Sequence, residues 1–260
     1  MTTQVSQPPE MQRNAVPASW ARERFFSIMA VALTLVVVAG FAWSTYVRTR
    51  PGSTAFGGPT LLPLVRLHAA VSASWMVLLI VQTWLIASRR IGVHRRVGVL
   101  GGVLAAGLVV LGWIVAFDLR PLPATVAPTL GVVPAPGTLE FLILPAEELL
   151  VFTTLIGIGL YARRRRPDVH KRLMILGTLA LIPAATTRPP SPGSALMTVA
   201  MFGLPEAIFI GALMLHDLRT TGRLHAATIW GGGVVLIGAV SRTWMSHTDL
   251  WLAFARAITL

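Results

Sequence analysis

The chain has no cysteine, which removes disulfides, thiolate metal sites and a cysteine nucleophile together. Lysine is nearly missing as well: of 22 basic residues, all but Lys171 are arginine. Charge of either sign is scarce, at 12% of 260 residues, and only ten residues are acidic. Walker sequences, dinucleotide-binding glycine patterns, HExxH and nucleophile-elbow motifs are absent too, so nothing supports a hydrolase, an ATPase or a dehydrogenase. No catalytic residue is assigned.

What the chain has instead is apolar surface. Hydrophobic residues make up 54% of it, and the mean hydropathy is +0.70. Several runs approach the roughly 20 residues needed to span a bilayer. Lipid offers no hydrogen bonds, so each run closes its own backbone ladder as a helix. The reading is an all-α polytopic transmembrane bundle of about seven spans, near 26–47, 61–88, 96–117, 139–162, 171–188, 196–217 and 226–244. Residues 1–25, rich in Gln, Pro and Ser towards the start, are expected to be a disordered cytoplasmic N-terminus. Their polar stretch is too long for a signal peptide and the apolar run after it too long for an h-region, so the first span is expected to be retained. Residues 246–260, with Trp251, Phe254 and Arg256 at helical spacing, are expected to lie along the interface.

Orientation follows from the arginines. Fifteen basic residues fall on one side (Arg13, Arg22, Arg24, Arg89, Arg90, Arg95, Arg96, Arg163 to Arg166, Lys171, Arg172, Arg219, Arg223) and seven on the other. The richer side is expected to be cytoplasmic, with the N-terminus inside, in a bacterial inner membrane. The net charge of +12 sits in short turns, where anionic lipid head groups, not nucleic acid, are the expected partner.

One pattern recurs three times. His94, His170 and His225 each follow a basic turn, open an apolar segment and precede a glycine seven positions on, at Gly101, Gly177 and Gly232. Each segment before them begins near a Leu-Pro step, at Pro63, Pro145 and Pro205. That predicts three related helical hairpins after the N-terminal span, with three imidazoles at one depth. Together with His216 they are candidate ligands for a metal ion or a b-type haem. An amphipathic ring at head-group level is equally explained by helix capping or by contact with a phosphate. The glycines, with Gly98, Gly102, Gly231 and Gly233, are expected to let helices approach closely.

The far half of the bilayer carries stranded charge. Glu147, Glu148 and Glu206 follow Pro145 and Pro205, with Arg66, His68, Arg188 and Arg242 at similar depth. Intramembrane ionisable groups are functional candidates by default. The prolines are expected to free a carbonyl and bend the helices. A polar cavity lined by these seven residues is the expectation, with Glu206, Glu148 and Arg188 central to it. Neighbours on a helix point about 100° apart, so Glu147 and Glu148 are not expected to face one partner. The same groups are equally explained as ion pairs that only fix helix packing.

The runs Arg66-Leu67-His68, Val81-Gln82-Thr83, Val93-His94-Arg95-Arg96-Val97-Gly98, Asp168-Val169-His170-Lys171-Arg172-Leu173-Met174 and His216 to His225 resemble a set of bacterial multi-pass membrane proteins. The HRR-x-G and H-x-R-x-M pieces are similar to the DUF2306 group. The resemblance spans roughly residues 60 to 255; it implies a membrane bundle and no particular activity. In architecture alone the chain also resembles cytochrome b561-like proteins, which would imply haem between facing histidines. Three readings stay open: a membrane protein binding a small ligand or protons in a polar interior, a haem or metal redox protein using the histidines, and a non-catalytic subunit paired with another membrane protein or a second copy.

Overall fold

The computed structural model describes residues 18–49, 63–118, 139–187 and 202–259, and every regular element among them is a helix. In chain order these are α1 (Ala18–Arg48), α2 (Pro63–Ala87), α3 (Ile91–Asp118), α4 (Ile143–Ala162), α5 (Pro167–Leu179), α6 (Pro183–Thr186), α7 (Leu204–Thr221), α8 (Ala226–Met245) and α9 (Asp249–Thr259). Five contain a stretch long and apolar enough to cross a membrane: Arg24–Tyr46 of α1, all of α2, Ile91–Phe117 of α3, all of α4 and all of α8. Their outward faces carry Ile28, Leu35, Val99, Val103, Leu150 and Ile237, all exposed. So much aliphatic surface calls for a lipid solvent, which makes this a multi-pass membrane protein.

The segments of the other two expected spans are not among these five. In place of one helix over 171–188, α5 stops at Leu179 and a tight turn leads into α6. Leu181 N donates to Thr178 O at 3.1 Å, and Ile182 N donates to Leu179 O at 3.0 Å. Those are the i→i+3 bonds of a 3₁₀ turn. Pro183 has no N–H to offer the Leu179 carbonyl, so Ile182 takes it one residue early. The break is tolerated because α1, α4, α7 and α8 all pack on α5 and keep it from lipid. Leu173, Ile175, Leu176 and Leu179 are accordingly buried.

The helix expected over 196–217 is α7, later at both ends. Gly203 (φ 82°) precedes it, and Gly222 (φ 70°) ends it with its N–H on Leu218 O at 3.0 Å. Both are left-handed conformations that favour glycine. The earlier part of the expected segment, to residue 201, lies outside the described residues. α7 also carries Glu206, His216, Asp217 and Arg219, which lowers its apolarity.

Two further boundaries differ from expectation. The disorder expected through residue 25 does not hold for residues 18–25, which are helical in α1. Residues 1–17 lie outside the described residues. α3 begins at Ile91, not near 96, so His94 sits inside its first turn.

The turn between α2 and α3 is made by Arg89 in a left-handed conformation (φ 59°), with Arg90 N on Leu85 O at 2.8 Å. That closes α2 with the six-to-one bond of a Schellman cap. The repeated glycines receive side chains from neighbouring helices: Gly101 faces Leu78, Gly177 faces Ile156 and Gly232 faces Ile210. Gly102 and Gly233, expected to do the same, face open space. At the C-terminus, Trp251 and Ala255 of α9 bury against Ile143, Leu144 and Ala146 of α4, while Leu250 and Phe254 are exposed.

Candidate functional site

At the end of the bundle where α4 and α7 begin and α8 finishes, three carboxylates gather round one guanidinium. Arg242 Nη2 donates to Glu206 Oε1 at 3.0 Å, and its Nε donates to Ala239 O at 3.1 Å, which holds the side chain against its own helix. Arg242 Nη1 lies 3.5 Å from Glu147 Oε2 and 4.0 Å from Glu148 Oε1. Both neighbouring glutamates therefore reach one partner, contrary to expectation. The 100° between their Cβ directions is overcome by two flexible side chains converging on a guanidinium broad enough to sit between them.

The prolines play a simpler part than expected. Pro145 and Pro205 stand in the first turns of α4 and α7, where no intrahelical bond is lost, and so they start the helices without bending them. Close approach comes instead from glycine. The Glu147 carboxylate lies against α8 at Gly238, where a Cβ would overlap it, and Gly203 stands beside Ala239 and Glu206 in the same way.

The cluster is packed, not an open cavity. Glu206 and Arg242 are sealed from the surface, and only Glu147 keeps appreciable side-chain exposure, 13%. Even so, three of its polar atoms have no hydrogen-bond partner: Glu147 Oε2, Glu206 Oε2 and Arg242 Nη1. Of the other expected members, Arg66 and His68 stand on α2, which packs mainly against α1 and α3. Arg66 is exposed, and the His68 Nδ1 is buried without a hydrogen-bond partner. Arg188 lies outside the described residues.

At the opposite end the four histidines have three different surroundings. His225 caps α8: its Nδ1 accepts from Ala227 N at 3.1 Å, which leaves Nε2 to donate to Asp168 Oδ2 at 2.7 Å. His216 stacks face to face on Phe25, ring centroids 3.9 Å apart, with Phe26 edge-on. His94 and His170 come together, with centroids 6.5 Å apart and rings at 70°. The His170 Nδ1 donates to Gly159 O at 2.9 Å. His94 is held by Gln82: with the amide oriented so that its oxygen accepts from Gly98 N (2.8 Å), its NH2 donates to His94 Nδ1 at 2.6 Å. Among the described residues, no three His, Asp or Glu side chains converge as a metal site.

The most complete polar network at this end was not expected. Asp217 of α7 is fully buried and accepts from the Arg172 guanidinium, from Thr228 Oγ1 at 2.6 Å and from His225 N at 3.2 Å. Arg172 also donates through Nη1 to Asp168 O at 2.9 Å. This ties α5, α7 and α8 together. The sequence signal is an aspartate close to each of two histidines, Asp168 and Asp217, in turns where arginine otherwise dominates and by number points only to orientation. No family model matches this chain, and no curated protein or solved structure matches it.

Proposed function

We propose that this is a seven-span inner-membrane protein, N-terminus inside, whose Arg242 cluster binds a proton or a small polar ligand within the membrane. In this reading the α5–α6 rod, from about Lys171 onward, and α7 add two polar, protein-shielded spans to the five apolar ones. Discontinuous spans of this kind are tolerated where neighbours cover them.

The observation that carries the reading is that Glu147 and Glu206 face a single guanidinium, while Glu206 Oε2 and Glu147 Oε2, the latter 3.5 Å from Arg242 Nη1, make no hydrogen bond. One positive charge neutralises one carboxylate. In a medium of low dielectric the second needs a proton or a bound cation. A structural ion pair alone requires only Glu206 and Arg242; it leaves the Glu147 carboxylate, laid against Gly238, unexplained. Glu147 is also the member nearest the surface, and is the route by which a proton reaches Glu206.

The test is carbodiimide labelling. Dicyclohexylcarbodiimide enters apolar sites and reacts with protonated carboxyl groups. Purified protein is expected to be modified at Glu147 or Glu206, more slowly as pH rises, and the adduct is located by mass spectrometry. Labelling that appears at neither residue at any pH overturns the proposal.

A further inference from the structure

At the end of the bundle that carries the histidines, the basic side chains are not alike. Arg172 is buried against Asp217, Lys171 Nζ lies 4.9 Å from the Phe26 ring centroid, and the Arg90 guanidinium lies 5.4 Å from that of Trp84. Arg163 to Arg166, in the turn from α4 to α5, differ from these. All four are exposed, and among the described residues none makes a hydrogen bond or ion pair through its side chain. The acid nearest in sequence, Asp168, has its carboxylate 2.7 Å from His225 Nε2 and is committed to the start of α8. Arg163 and Arg164 line a shallow hollow of about 360 Å³ together with Leu160 and Tyr161. Two guanidinium forks without a carboxylate, set beside apolar side chains, suit a phosphate.

The hollow continues into an apolar track. Going back from Tyr161, Gly157, Thr154 and Leu150 follow at helical spacing, so the four share one face of α4. All are exposed, Tyr161 at 83% and Leu150 at 59%. The Thr154 hydroxyl donates to Leu150 O at 2.8 Å and so asks nothing polar of its surroundings. Gly157 notches the face midway, where an added Cβ would meet nothing within 4 Å. From Leu150 to Tyr161 the helix rises about 16 Å, half of the roughly 30 Å hydrocarbon core and thus the depth of one leaflet. Any arginine turn attracts an anionic surface. The hollow and the track below it single out this one.

We propose that the α4–α5 turn binds one anionic phospholipid, its phosphate held by Arg163 and Arg164 and an acyl chain laid along α4 in the Gly157 notch. A zwitterionic lipid brings an ammonium group that finds no carboxylate here, and a soluble phosphate ester leaves the track empty. The site shares no residue with the Arg242 cluster.

The full-length protein in detergent is titrated with dioleoyl phosphatidylglycerol and, separately, with dioleoyl phosphatidylcholine, and native mass spectrometry counts the lipids retained. The first phosphatidylglycerol is expected to bind ~25-fold more tightly than the first phosphatidylcholine, about 5-fold for each arginine. Arg163→Gln combined with Arg164→Gln is expected to abolish that preference. Arg219→Gln combined with Arg223→Gln, an equal loss of charge at the same end, is expected to leave it. Gly157→Leu alters no charge and puts a side chain into open space, so it is expected to fold. It should weaken phosphatidylglycerol binding ~10-fold, the scale of one or two methylenes lifted from apolar contact. Equal affinity for the two lipids overturns the proposal, as does an equal loss in the two arginine pairs or native affinity in Gly157→Leu. Displacement of the lipid by equimolar glycerol 3-phosphate overturns it too, because the ligand is then a soluble phosphate.

Discussion

Among the described residues, Arg242 is the one that faces the most buried carboxylates. Removing it leaves Glu206 and Glu147 facing each other in an apolar surrounding, whereas Glu206→Gln removes a negative charge from a cluster that has more than its guanidinium can balance. Arg242→Met is therefore expected to destabilise by about 3–5 kcal/mol, the scale for breaking a buried pair from one side. Glu206→Gln is expected to cost clearly less. Thermal melting of the detergent-solubilised variants checks the order; equal losses would mean that Glu147 does not depend on Arg242. At the other end, the hydrogen bond from His225 holds the Asp168 carboxyl below its usual range, with burial opposing. A carboxylate with a lowered folded value stabilises above its unfolded value of about 3.9, and that contribution disappears as pH falls through the folded value. The melting temperature of Asp168→Asn is thus expected to lie slightly below that of the native protein at neutral pH and to meet it below about pH 4. Asp168 is half exposed, so solvent screening keeps the difference small.

Between helices, glycine decides which side chains meet, and two positions should respond differently to one added methyl. At Gly238 the new Cβ meets the Glu147 carboxylate, the far end of a flexible side chain that can swing aside. At Gly40 it meets the Ala185 carbonyl of α6, which is backbone and cannot. Gly40→Ala is expected to cost about 1–3 kcal/mol as overpacking. Gly238→Ala should melt close to the native protein yet lose carbodiimide labelling at Glu147, because the carboxylate no longer lies against α8. The same contrast shows what the sequence makes legible. Helical spans, the recurring histidine and glycine spacing, and the carboxylate positions can all be read from hydropathy and breakers. The break after Leu179 cannot, because a 3₁₀ turn survives in an apolar interior only where neighbours cover it, and neighbours are tertiary information. Convergence of Glu147 and Glu148 on Arg242 was hidden for a related reason: Cβ directions are fixed by the helix, but charged side chains of this length are not. Arg172 looked like one more cytoplasmic arginine until α7 brought a buried Asp217 to it.

On the scale of the molecule, the two charged layers lie at opposite ends of the α7–α8 hairpin, Glu206 with Arg242 at one and Asp217 with Thr228 at the other. Between them Ile210, Leu213 and Val235 are buried, with Leu173 and Leu176 of α5 packed against Gly231. Eleven positions separate Glu206 from Asp217, about 16 Å of helix and close to three full turns, so both carboxylates share a face with apolar packing between them. Under the proposed function, a proton on Glu147 or Glu206 would exchange with the nearer surface, and the side of the membrane on which that surface lies becomes the decisive question. The chain is suited to answering it, because a lone introduced cysteine is the sole target for a thiol reagent. With the arginine-rich turns inside, Ala253→Cys on α9 is expected to react with an impermeant maleimide on intact cells, and Arg164→Cys only after permeabilisation. The reverse pattern would place the Arg242 cluster towards the cytoplasm. Reaction of both in intact cells would mean that α9 and the α4–α5 turn share a side, and the seven-span arrangement would fall with it.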